Sequence, residues 1–158
     1  MPSLNSLPRL RSITQLLLAL AVLAVLALPA KAGQSLNFGE YQLHYMALST
    51  ASLRPEFAEQ YGLPRSDRRA YLNLSVTRMV DGVPMPVPAE ISGIRRNLIG
   101  QQFPLRLTEV REGLGIYYLD DFPYTAREPI RFRVEVQPEG SERSWTLNFE
   151  QRVYAVNR

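Results

Sequence analysis

The sequence predicts an all-β fold: an antiparallel immunoglobulin-like β-sandwich with one short helix. Three observations carry that expectation. Several short stretches alternate apolar and polar residues with period two. Turn residues (Gly, Pro, Asp) separate them at short intervals. One segment alone carries paired helix start and stop signals. The result is about seven strands and one small helix. Because the chain has no cysteine, the cysteine pair of antibody domains is absent. The expectation therefore rests on spacing, and a partly open barrel is the competing architecture.

The N-terminus reads as an export signal and not as part of the fold. Arg9 and Arg11 make a positive region, and the run 16–28, "LLLALAVLAVLAL", carries no charge. "PAKA" at 29–32 sets Ala30 and Ala32 in the small-residue pattern a signal peptidase reads. We expect a helical signal peptide over residues 1–32, cut after Ala32, and a single β-sandwich domain over 33–158. An uncleaved anchor is the alternative, but the apolar run falls short of the roughly 20 residues that cross a bilayer.

Elements follow in order. "YQLHYMA" (41–47) points Tyr41, Leu43 and Tyr45 one way and Gln42, His44 and Met46 the other, as a strand does. "SLRPEFAEQYGL" (52–63) reads as a helix of about two turns, with Pro55 at its start, Glu56 in its first turn and Gly62 as its stop. Ala70, Leu72, Leu74 and Val76 form one face of the next strand. Asp81-Gly82 is a hairpin signal. Pro84, Pro86 and Pro88 oppose regular ladder pairing and predict an extended edge segment. Strands are expected at 89–101, with Gly93 as a bulge, and at 103–112, 116–122, 130–137 and 145–154. In 130–137 the alternation is cleanest, with Ile130, Phe132, Val134 and Val136 inward. In the last strand Trp145, Leu147, Phe149 and Val153 share a face.

Charge narrows the function classes. The whole chain has 18 Lys+Arg against 15 Asp+Glu. The leader holds Arg9, Arg11 and Lys31 and no acid, so the mature chain is formally neutral. That removes the net basic surface a general nucleic-acid binder needs. Without cysteine, a small exported domain of this length depends on its apolar core.

Four segments together are distinctive: "LRPEFAEQYGLPRSDRRAYLNLSV", "NLIGQ", "LTEVREGLGIYYLDDF" and "LNFEQRVY". Tyr61, Gly62, Arg65 and Ser66, with Leu72, Asn73, Ser75 and Val76, are their most specific parts. The chain resembles an uncharacterised family of small periplasmic proteins of Gram-negative bacteria, a domain of unknown function, over most of 38–154. Ser52 departs from the phenylalanine the family pattern has before Leu53. The resemblance implies export to the periplasm and a β-rich domain, and it implies no activity.

Candidate chemistry is sparse. His44 is the single histidine, and neither a G-x-S-x-G elbow nor a Gly-rich phosphate loop is present. A zinc site of the usual Cys/His kind is excluded by residue count. His44 and Met46 lie on one strand face, roughly 7 Å apart at their bases. Imidazole and thioether suit copper, against a plain surface histidine beside a methionine. Asp120 and Asp121 stand among Tyr117, Tyr118, Phe122 and Tyr124, which suggests sugar binding by a cell-wall-active enzyme. Neighbouring strand residues face opposite ways, however, so the two aspartates do not pair as a glycosidase acid and nucleophile would, and core tyrosines ending in an acidic turn are the preferred account. The cluster Arg65-Ser66-Asp67-Arg68-Arg69 is either a charged turn or a recognition surface. We expect Arg65 and Ser66 to hold the helix–strand junction and Arg68 and Arg69 to face solvent.

The expected function is a non-enzymatic binding or interaction module of the periplasm, with no cofactor and a protein or envelope partner. Its expected contact surface joins 53–69, including Arg54, Glu56, Arg65, Ser66, Arg68 and Arg69, to the proline-rich edge 83–88. The alternative is a small-ligand or copper-binding protein using His44 and Met46.

Overall fold

The computed structural model describes residues 34–155, and the expected signal peptide lies outside them. The strands are β1 (Ser35–Phe38), β2 (Tyr41–Ser49), β3 (Arg69–Val80), β4 (Val83–Pro86), β5 (Ala89–Arg96), β6 (Gln102–Pro104), β7 (Thr108–Glu112), β8 (Gly115–Pro123), β9 (Pro129–Pro138) and β10 (Trp145–Arg152). A 3-10 turn (Thr50–Ser52) precedes helix α1 (Pro55–Gln60). One antiparallel sheet has the order β1-β2-β3-β8-β7, with β4 added along β3; the other has the order β10-β9-β5-β6. The runs β2-β3-β8-β7 and β10-β9-β5 reproduce the two-sheet strand order of the immunoglobulin fold.

Alternation builds the sandwich. Along β9, Ile130, Phe132, Val134 and Val136 are buried while Arg131, Arg133 and Glu135 are exposed. Along β3, Ala70, Leu72, Leu74 and Val76 are fully buried. These rows meet in one core. Tyr45 of the first sheet stacks on Phe149 of the second at 4.2 Å, and Phe122 meets Phe132 edge-on at 5.9 Å. Each such side chain contributes about 1.5–3 kcal/mol by leaving water, which is how the domain holds without disulfides.

Four expectations change on contact with the tertiary structure. The proline segment does pair: β4 runs antiparallel to β3 in the register Val80↔Val83, Met79↔Pro84, Arg78↔Met85, Thr77↔Pro86. Asp81 and Gly82 both have positive φ, 51° and 80°, as a two-residue type I′ hairpin requires. In that register Val83, Met85 and Val87 direct their N–H groups at β3, and Val87 N donates to Val76 O at 2.9 Å. Pro84, Pro86 and Pro88 fall at the alternate positions, so the missing N–H groups belong to the free edge.

Gly93 is not a bulge. The β5–β9 register is unbroken through Gly93↔Val134. A Cβ at Gly93 would lie 2.4 Å from the Arg133 carbonyl oxygen, so glycine is needed for close backbone approach.

The expected strand 103–112 is two strands in different sheets. β6 ends at Pro104, Leu105 N donates to Gly93 O, and Arg106 N donates to the Asp120 carboxylate at 3.1 Å. The chain changes sheet there, over the half-buried Leu105 and Leu107. Likewise 89–101 stops pairing at Arg96, where Asn97 and Gln101 close a turn. β1 went unforeseen because "SLNF" offers only Leu36 and Phe38 as an apolar alternation.

Candidate functional site

Segment 50–69 is held by internal contacts. α1 and the residues flanking it lay Leu53, Ala58 and Leu63 on Tyr71 and Leu119, and Phe57, Tyr61, Val110 and Tyr117 pack against this cluster. This makes a second small core on the outer face of the first sheet. Thr50 is fully buried. Its hydroxyl donates to Pro64 O at 2.8 Å and accepts Ser66 N–H at 3.0 Å. Ser66 Oγ accepts the Arg68 N–H, and Arg65 Nη2 donates to Ala51 O at 3.3 Å. Arg54 caps the helix without a side-chain hydrogen bond, and it and Glu56 are exposed. Arg68 faces solvent. Arg69 does not stand free as expected. It is half-buried and ion-paired with Asp121 on the neighbouring strand β8.

The expected joint surface is also divided. Segment 53–69 meets the Arg69 end of β3, whereas β4 pairs with residues 77–80 at the other end. A strand rises about 3.4 Å per residue, so roughly 30 Å separates the two.

His44 and Met46 do share the outer face of the first sheet. His44 lies between Ser35 and Ser75 in the ladders, and Met46 is opposite Asn73. His44 Nε2 is 2.9 Å from Thr77 Oγ1. Burial lowers the imidazole pKa, which favours the neutral ring. Met46 is 38% exposed. No group of three or more His, Cys, Asp or Glu side chains suited to a metal occurs among the described residues.

Asp120 and Asp121 face opposite ways. Asp120 points into the sandwich, buried, and takes the Arg106 N–H. Desolvation raises its pKa, and the Asp121 charge adds to the shift; the Arg106 N–H and Arg95 oppose it. Arg95 lies over the rings of Phe103 and Phe122, at 4.3 and 4.8 Å. Tyr118 is a core residue whose hydroxyl accepts the Ala89 N–H at 2.7 Å. With one carboxylate inside and the other outside, the pair cannot flank a single bond.

The conspicuous exposed apolar feature is the β3–β4 hairpin. Met79, Val80, Val83 and Met85 are 58%, 42%, 55% and 43% exposed. β2 pairs with β3 only as far as Arg78, so the hairpin tip extends past its neighbour strand.

A family model described as a domain of unknown function (DUF4426) matches residues 35–155. The chain belongs to the DUF4426 family. The DUF4426 domain thus coincides with the described sandwich. Its fold is that of a crystallised DUF4426 family protein from Pseudomonas aeruginosa PAO1, with 29% identity, a TM-score of 0.67, and coverage of 78% of this chain and 96% of that one. Two structures of FetP from uropathogenic Escherichia coli strain F11 share the fold at 13% identity. One, from protein expressed in the E. coli periplasm, has a TM-score of 0.58 and covers 80% of this chain and 96% of that one. The other, a copper-bound variant, has a TM-score of 0.56 and covers 79% and 97%. No curated protein matches the chain.

The expected contact surface took in Val83 and Met85 of this DUF4426 domain through the edge 83–88, but not Met79 and Val80. Their signal was present: "MVDGVPM" places four large apolar side chains around a two-residue turn, where a solvated tip is ordinarily polar.

Proposed function

We propose that this DUF4426 chain is exported to the periplasm and acts there as a non-enzymatic interaction module. Its contact element is the β3–β4 hairpin, and its partner is a periplasmic protein with an apolar surface. The observation that supports this reading is the exposure of Val80, Val83 and Met85 on one face of the hairpin, with Met79 exposed on the other. Contiguous apolar exposure is costly in water and recurs at interaction sites, and methionine adapts its shape to a partner. Pro84 and Pro86 leave the outer edge short of donors, which disfavours strand addition and favours side-chain docking. A photo-cross-linking residue at position 85, in whole cells, is expected to trap a discrete partner, while one at position 59 on α1 traps none. No adduct from position 85 overturns the reading.

A second reading takes His44 and Met46 as copper ligands. Two observations favour it: the residues share a face, where burial lowers the His44 pKa, and FetP, of like fold, has a copper-bound variant. It requires His44 to leave Thr77 or to bind through Nδ1. Competition with a Cu(I) chelator is expected to show weaker binding in His44→Ala, and unchanged affinity excludes the site.

A further inference from the structure

The outer face of the second sheet carries a concentration of positive charge. The β5–β9 ladder sets Arg96 directly opposite Arg131, and Ile94 opposite Arg133. The β9–β10 ladder sets Glu150 opposite Arg131 and Asn148 opposite Arg133, while β6 sets Gln102 opposite Arg96. Facing residues on paired strands are about 5 Å apart, and alternate residues on one strand about 7 Å apart. Three guanidinium groups thus rise from one small area.

The protein neutralises that area incompletely. Glu150 accepts from Arg131 Nε at 3.2 Å, and its second oxygen lies 3.7 Å from Arg152. One carboxylate therefore serves two arginines. Glu135, next along β9, accepts the Ser144 hydroxyl at 2.9 Å. Among the described residues, Arg96 and Arg133 have no acidic partner within ion-pair distance. Like charges directly opposite in a ladder destabilise it, and the mature chain is neutral overall, so this excess is local. The same residues line a groove of about 500 Å³, with the Gln102 and Asn148 amides at its sides and Ile94 within it, while the rings of Phe132 and Phe149 beneath point into the core.

We infer that this groove binds a phosphomonoester, held by Arg96 and Arg133, with Arg131 already steadied by Glu150. A phosphomonoester carries close to two negative charges and presents three acceptor oxygens. Two arginines without acidic partners match that charge, and planar guanidinium forks match the oxygens. A single carboxylate would occupy one fork and leave the other uncompensated. Ile94, opposite Arg133, suits the apolar side of the attached carbohydrate or lipid. This inference does not depend on the hairpin reading, since it concerns the other sheet.

The test uses the purified protein at constant ionic strength. Glucose 6-phosphate is titrated by calorimetry, with glucose and potassium chloride as controls. Phosphatidylcholine vesicles containing phosphatidic acid are compared by flotation with vesicles containing the diester phosphatidylglycerol. Binding of the sugar phosphate identifies a soluble ligand, and preference for phosphatidic acid vesicles identifies a lipid headgroup. Either outcome supports the inference if Arg96→Gln and Arg133→Gln each weaken binding by about tenfold or more while Arg54→Gln, at the N-cap of α1, does not. The two groove variants are expected to unfold no earlier than wild type without ligand, because each relieves repulsion. Failure of both phosphomonoester probes to bind above their controls, or equal weakening by Arg54→Gln, overturns it.

Discussion

Arg69 at the start of β3 donates through Nε to the Asp121 carboxylate of β8 at 2.7 Å, and its Nη2 reaches the same carboxylate and the Asp121 carbonyl oxygen. The pair is about two-thirds buried, 35% and 27% exposed, and it pins the helix–strand junction to the sheet. Arg69→Ala is expected to cost about 1 kcal/mol, near the upper end for ion pairs that water still reaches. A double-mutant cycle with Asp121→Ala measures the coupling, and a value of zero removes the pair from the fold's stability.

Asp120 gives the fold a pH dependence of known sign. Desolvation raises its folded pKa above that of the unfolded chain. Its stabilising contribution is therefore present below the ordinary carboxylate range and is lost as pH rises through the raised folded value. Asp120→Asn keeps an acceptor for the Arg106 N–H without the buried charge. The variant is expected to gain Tm at pH 7 and to gain little at pH 3. A larger gain at pH 3 contradicts this assignment.

Thr50 ties the 3-10 turn to the loop before β3 through its fully buried hydroxyl. Thr50→Val keeps the shape but leaves Ser66 N–H and Pro64 O unpaired. The expected loss is about 1–3 kcal/mol, read by urea unfolding, with faster tryptic cleavage after Arg65 and Arg68. Unchanged cleavage means that other contacts hold the loop.

Gly93→Ala places a methyl group 2.4 Å from a backbone oxygen of β9. Backbone cannot swing aside as a side chain can, so a loss of about 1–3 kcal/mol is expected. Because Arg133 is the residue whose carbonyl is displaced, phosphomonoester binding falls with it. Wild-type unfolding would show that β5 and β9 tolerate separation.

Much of the fold was legible because its signals are local. "IRFRVEVQ" alternates, and β9 buries the predicted four residues. Pro55 and Gly62 bracket the helix, and Gly62 takes φ +62 as a helix stop requires. The missed boundaries belong to residues whose role is defined across the sheet. Pro104 ends β6 because the chain changes sheet there, and the prolines of β4 suit a ladder because they fall on the outward-facing positions.

By itself, then, the sequence determined the alternation, the turns, the single helix, the absence of disulfides and the family. Only the tertiary structure decided which residues meet. Arg69 and Asp121 are 52 positions apart, Arg96 faces Arg131 through a β-ladder, and the hairpin and the helix lie at opposite ends of one strand. Period-two patterning states which face a side chain takes, but register between distant strands comes from core packing summed over both sheets. Sites assembled across that register therefore have no local signature.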